Sequence, residues 1–406
     1  MPETWGLLPK SQVDDELIEE AIARLILEHN EDETAHLGTG QSLQSHKASE
    51  IIDHLVKSII ADKIADGEVW ERHRHSISGW KRLLAMRREE ALKILKKVWT
   101  GIAGQVSARD LVFDGTYLYI ATGTTPPKVI KIDPVTFETV AVWEGDAADI
   151  VCEGVISDGA YIYASIGSAP AKVIKINPAT MATVATWTGA AGENYGQRII
   201  FDGAYIYVAL SIDPAKVIKI NPNTMATVSV WTGAAGERYA TPLSFDGIYI
   251  YVGLHITGAK VIKINPATMA TVATWTGAAG ENNCYALTFD GTYVYAGLNI
   301  EPAKVVKINP ATMATVATWT GAAGENNCQG LTFDGTYVYA GLYTIPTKAI
   351  KINPTTMATI SIWTGSSGED ESVGLTFDGN YLYLLLSTDP AKVIRKIMRD
   401  IDESGL

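Results

Sequence analysis

Downstream of about residue 93 the chain falls into short runs in which apolar and polar residues alternate. One stretch, residues 286–327, reads ALTFDG, TYVYAGL, NIEPA, KVVKINPAT, MATVATWTG and AAGENN. Four of these segments are rich in β-branched and aromatic residues at period two, and they are bounded by Gly, Pro, Asn and Asp. That pattern predicts four short strands, A to D. Asp-Gly between A and B is a two-residue hairpin signal, because Gly takes a positive φ without steric cost. Asn-Pro-Ala-Thr between C and D suits a tight turn with Pro presetting φ. Strand D closes on Thr-Gly, and a longer Gly-Ala-Ala-Gly-Glu loop leads to the next strand A.

The unit recurs. Asp-Gly begins at Asp114, Asp158, Asp202, Asp246, Asp290, Asp334 and Asp378, every step being 44 residues. Tyrosine follows at Tyr117 and Tyr119 and at the six later copies of both. Tryptophan occupies Trp99, Trp143, Trp187, Trp231, Trp275, Trp319 and Trp363. Trp99 to Leu406 spans seven times 44 residues. Four antiparallel strands per repeat of this length, repeated radially, predict a seven-bladed β-propeller. Fourteen of the 18 tyrosines belong to this framework, each i, i+2 pair facing one side of strand B toward a neighbouring blade.

After Lys392-Val393-Ile394 the last unit lacks a fourth strand, whereas residues 93–99, KILKKVW, fall on the MATVATW register. Residues ~93–100 are therefore expected to supply strand D of the last blade, removing an open edge. The propeller is assigned to 93–406.

Comparison among the repeats separates two faces. The A–B and C–D turns are nearly constant. The B–C loops read GTTPP, GSAPA, SIDPA, HITGA, NIEPA, YTIPT and STDPA, and the D–A segments read QVSARD, DIVCEG, ENYGQR, ERYATP, ENNCYA, ENNCQG and EDESVG. Residues 265–298 and 309–342 differ only at Tyr285 against Gln329 and Ala286 against Gly330. The four tyrosines outside the framework, Tyr195, Tyr239, Tyr285 and Tyr343, lie in the diverse loops with His255. Joined by Arg198, Arg238, Asp213, Asn299, Glu301 and Gln329, they are expected to ring the channel mouth as a ligand-binding surface, since Tyr and Arg combine contact area with hydrogen-bonding tips. Drift of exposed loops is the alternative; it would also have altered the opposite turns.

Residues 1–92 share nothing with the repeat. Apolar periodicity in LIEEAIARLILEH, ASEIIDHLVKSIIADKIAD and GWKRLLAMRREEALK predicts three helices, the first preceded by Asp14, Asp15 and Glu16. Residues 1–71 hold 16 acids and 5 bases, and residues 72–100 hold 2 acids and 9 bases. This segregation suits a basic helix that meets an acidic surface, in its own chain or in a neighbour. Its histidines, His73 and His75 among them, lack single-chain metal spacing, so no metal or other cofactor is expected.

The chain has 406 residues, 33 Lys and Arg against 45 Asp and Glu, and a formal charge of −12, which disfavours nucleic acid. It lacks a signal-peptide layout and any apolar run long enough to enter a membrane as a helix. Cys152, Cys284 and Cys328 share one register with Ala108, Gly196, Ala240 and Ser372, so small size rather than thiol chemistry explains them.

Residues 3–64, above all SQVDDELIEEAIARLI and AHLGTGQSLQSHKASEIIDH, resemble N-terminal segments of tail-fibre-like structural proteins of bacteriophages and prophages. The FDG-x-Y-x-Y and K-V-I-K-I-N-P patterns resemble YVTN-type propellers, a likeness of fold and not of function. The first resemblance implies a virion protein assembled in the host cytoplasm, bound to other virion proteins and to itself through residues 1–92, with a trimer as the family expectation. Its variable face would bind a cell-surface receptor or glycan. A self-assembling decoration or filament protein is the alternative. A propeller lyase or hydrolase is a further one, disfavoured because the channel strands are apolar and no catalytic set recurs; the chain is read as not an enzyme.

Overall fold

The computed structural model describes residues 98–102 and 107–397. The three helices expected within residues 1–92, and residues 93–97 of the expected closing strand, lie outside the described residues. The described residues form seven antiparallel four-stranded sheets, the blades of a β-propeller. Blade 1 runs through Ala108–Phe113, Leu118–Thr122, Lys128–Ile132 and Thr139–Glu144. Blades 2 to 6 repeat that order. In blade 7, Ser372–Phe377, Tyr381–Leu386 and Lys392–Ile397 are completed by Val98–Thr100, with Trp99 opposite Val393. The strands A of successive blades touch one another around the axis, Ala108–Phe113 meeting Ser372–Phe377 to close the ring. Strands D form the exposed rim.

Three recurrent contacts sew each blade to the next. The second tyrosine of each pair is buried and packs into the core cluster of the following blade, as Tyr163 does beside Ile199 and Ile206. In six blades, Tyr119 of blade 1 being the exception, its hydroxyl donates to the Asp-Gly carboxylate, at 2.7 Å for Tyr207 and Asp202. The other oxygen of that carboxylate accepts two backbone N–H groups of the turn, so the repeated aspartates are consumed by the framework. A buried lysine of strand C lies over the first tyrosine, Lys219 at 3.9 Å from the Tyr205 ring centre, and donates to a carbonyl in the next blade, Pro266 at 2.8 Å. Arg395 takes this part at the closure, donating to the Pro134 carbonyl at 2.9 Å. Finally, the indole N–H of each of six tryptophans donates to a threonine forty residues on. The closing strand joins in through Trp99 and Thr139 at 3.0 Å.

Between blades, paired positions trade volume. The Sγ atoms of Cys284 and Cys328 and the Oγ of Ser372 occupy the space a Cβ would take on Gly253, Gly297 and Gly341 of the preceding blade. Where strand B of blade 7 carries Leu385, the facing position of blade 1 is Ala108, in the same core cluster. The three cysteines are fully buried free thiols, and burial pushes their pKa values up, to about 12 for Cys328. This agrees with selection for size.

Candidate functional site

Each strand A begins with an irregularity. Ala108 pairs with Thr122 and Asp110 with Ala121, leaving Arg109 as an extra residue; Glu153, Tyr285, Gln329 and Val373 stand in the same position in their blades. In blades 3 and 4 the irregularity takes in Gln197 and Thr241. A bulge re-aims the side chain it carries. Here it turns one residue per blade into the mouth of the central channel, so that Arg109, Glu153, Gln197, Thr241, Tyr285, Gln329 and Val373 surround a cavity of about 260 Å³, together with Arg198, Tyr343 and Ser387. All seven belong to a single column of the 44-residue repeat, and that column holds six kinds of residue.

The next column inward is Asp110, Gly154, Arg198, Pro242, Ala286, Gly330 and Gly374. Five of its members are too small or too compact to reach across, which leaves room for the one long side chain, Arg198. Its Nη1 contacts the carbonyls of Arg109 (2.6 Å) and Glu153 (3.1 Å) and Asp110 Oδ1 (2.8 Å), and Nη2 donates to the Val373 carbonyl (3.2 Å). One arginine of blade 3 thus ties blades 1, 2 and 7. Asp110 also accepts the Val155 N–H at 3.0 Å. Burial raises the Asp110 pKa above its ordinary value, with Arg198 pulling the other way. Below this latch the channel is walled by Leu111, Val155, Ile199, Leu243, Leu287, Leu331 and Leu375, within a second cavity of about 260 Å³ that shares Arg198, Tyr285, Gln329 and Val373 with the first.

The walls of the mouth are partly ordered by their own contacts. Arg109 Nε and Glu153 Oε2 are 3.9 Å apart, a loose pair. His255 meets the Tyr285 ring edge-on, with centroids 5.5 Å apart. Partial burial lowers the His255 pKa, which favours the neutral imidazole near pH 7. The Tyr343 hydroxyl is pushed up to about 12 by burial and by its hydrogen bond to Glu371.

Of the residues expected at the mouth, Arg198, Tyr285, Gln329 and Tyr343 line it, and His255 packs against Tyr285 without lining either cavity. Arg198 is engaged in cross-blade bonds. Tyr195, Arg238, Tyr239, Asn299 and Glu301 do not line either cavity, and Asp213 makes only a distant 3.9 Å contact with the half-exposed Arg238. The physical reason is local backbone. Tyr195 and Tyr239 hold φ of 58°, two residues before the bulge, and their N–H and C=O groups bond the flanking B–C loops at Ser168 and Ser211 and at Ile212 and His255. Their side chains are left 47% and 40% exposed. Arg109, Glu153, Gln197, Thr241, Val373 and Ser387 were not anticipated. The signal for the first five was the column itself, the most divergent in an otherwise repetitive array. Among the described residues no group of three His, Cys, Asp or Glu side chains is placed to hold a metal.

No protein-family model matches the chain, and no curated protein matches it. The likeness of residues 3–64 to tail-fibre segments therefore has no family match behind it.

Proposed function

We propose that the protein is a recognition module whose ligand seats in the channel mouth, carried on a virion appendage by residues 1–92. The observation behind the ligand site is the comparison of blades. Over 34 successive positions, residues 265–298 and 309–342 differ only at Tyr285 against Gln329 and Ala286 against Gly330. The first difference lies in the column that lines the mouth, and the second in the latch column, where Ala286 and Gly330 line the second cavity. A sevenfold scaffold built of identical blades has no single site, and substitutions in the columns that face the axis create one. The virion setting is the expectation drawn from the N-terminal resemblance.

The test is a binding screen against bacterial cells and immobilised surface polysaccharides, comparing the full-length protein with a Tyr285→Ala, Gln329→Ala variant. Selective loss in the variant supports the reading, and equal binding by both refutes it. Size in solution with and without residues 1–92 tests the oligomerising part.

A second reading, self-assembly into a decoration or filament, rests on the rim. Strands D expose Val140, Val184, Val228, Val272, Val316 and Ile360, each close to half accessible, and the strands of blades 2 to 6 carry no charged residue. Uncharged, accessible edges favour strand pairing between molecules. Concentration-dependent polymers of the purified protein, without cell binding, would favour this reading.

A further inference from the structure

We infer that the mouth is a single subsite for one uncharged pyranose residue. This rests on the recognition reading above and names the chemistry of its ligand. The amides of Gln197 and Gln329 and the hydroxyls of Thr241 and Ser387 each offer a donor and an acceptor to the same small volume. A ligand matched to such a ring carries several groups that donate and accept at once, which is the character of vicinal sugar hydroxyls. The Tyr285 ring is only partly buried and is fixed by its edge contact with His255. It presents an aromatic surface on which the C–H face of a sugar ring packs.

Charge narrows the class. Arg109 faces Glu153, and Arg198 faces Asp110, so the four charged side chains that line the two cavities cancel. A net acidic or basic ligand would leave one of these charges without its partner in a partly desolvated site. Size narrows it further. The mouth cavity, about 260 Å³, has room for one six-membered ring with its substituents. Arg198 bars the floor and the apolar column beneath offers hydroxyls no partner, so the remainder of a longer glycan leaves through the mouth. Because the seven wall positions are so unlike, the stoichiometry is one per chain, despite seven near-copies of the blade.

The experiment is ligand-observed NMR and titration calorimetry on the full-length protein. The probes are methyl glycosides of glucose, galactose, mannose and N-acetylglucosamine, glucuronate and galacturonate, and glycine as a zwitterion able to bridge Arg109 and Glu153. The expected result is millimolar binding of at least one neutral glycoside at one per chain. Tyr285→Ala should weaken it about tenfold or more, while Tyr195→Ala, outside the cavity, should leave it intact. Tighter binding of the uronates or of glycine overturns the inference. So does a stoichiometry above one, or binding indifferent to Tyr285→Ala. If no glycoside binds while Tyr285→Ala, Gln329→Ala still abolishes cell binding, the sugar assignment falls and the recognition reading stands.

Discussion

Replacing Arg198 with methionine tests whether the latch across the channel holds the blades together. The change keeps the aliphatic stem and removes the guanidinium, which takes that donor from the carbonyls of Arg109, Glu153 and Val373 and leaves the carboxylate of Asp110 with the Val155 N–H but no opposite charge. About a fifth of the Asp110 side chain is accessible, so the loss falls between that of a fully buried broken pair, about 3–5 kcal/mol, and that of an exposed one, under about 1 kcal/mol. A destabilisation of about 2–3 kcal/mol at pH 7 is expected. It should be read by urea unfolding of the full-length protein, followed by tryptophan emission.

The pH dependence carries the sharper test. The Asp110 carboxyl already titrates above its ordinary 3.8 because burial outweighs Arg198, and removing Arg198 takes away the largest opposing influence. A carboxyl whose folded pKa is raised opposes folding only once it must ionise. The penalty therefore grows as pH rises from 3.8 through the folded pKa and is constant above it, each added unit costing about 1.4 kcal/mol. The deficit of Arg198→Met relative to the parent should shrink at about pH 4.5, and adding Asp110→Asn should restore part of the loss at pH 7. A deficit under about 0.5 kcal/mol at pH 7, or one of equal size at both pH values, refutes the account of the latch.

Two further substitutions probe the seams between blades. Gly297→Ala places a Cβ 2.7 Å from Cys328 Sγ and 3.1 Å from Ala286 Cβ, so a loss of about 1–3 kcal/mol is expected from overpacking. Cys328→Ala should recover much of it, and simple additivity in the four-member cycle would contradict volume trading between the columns. Trp99→Ala removes a side chain only 2% accessible and the bond to Thr139. It should cost about 3–5 kcal/mol, against about 1 kcal/mol for Thr139→Val; a Trp99→Ala loss below about 1 kcal/mol would show that the closing strand does not fasten the ring.

The blades were legible in the sequence because their determinants are local and recur seven times. Asp-Gly and Asn-Pro fix the turns, period-two alternation fixes the strands, and a Trp or Tyr at a constant interval marks a framework contact. The cysteines were legible for the same reason: a column of Ala, Gly, Ser and Cys can report only size. The latch was not legible, since the direction of Arg198 depends on four other blades presenting Gly or Ala at its own level. Alternation failed at the mouth as well. A strict period of two would send residues 109 and 111 to one side and 110 to the other, yet Arg109, Asp110 and Leu111 all line the axis, because the bulge changes the count.

The misplaced tyrosines mark the limit of composition as a guide. Tyr195 and Tyr239 have the side chain a binding surface favours, but they sit at a backbone position in the left-handed region, tied to the neighbouring loop and outside both cavities. Arg109, Glu153 and Thr241 have unremarked chemistry and sit where the bulge aims inward. Identical blades can build only a sevenfold surface, so a unique site has to arise where the copies disagree at a position whose backbone faces the axis. In this chain both conditions meet at the mouth column and at the latch column beneath it, and a residue satisfying only the first, as Tyr195 does, is exposed without belonging to the mouth.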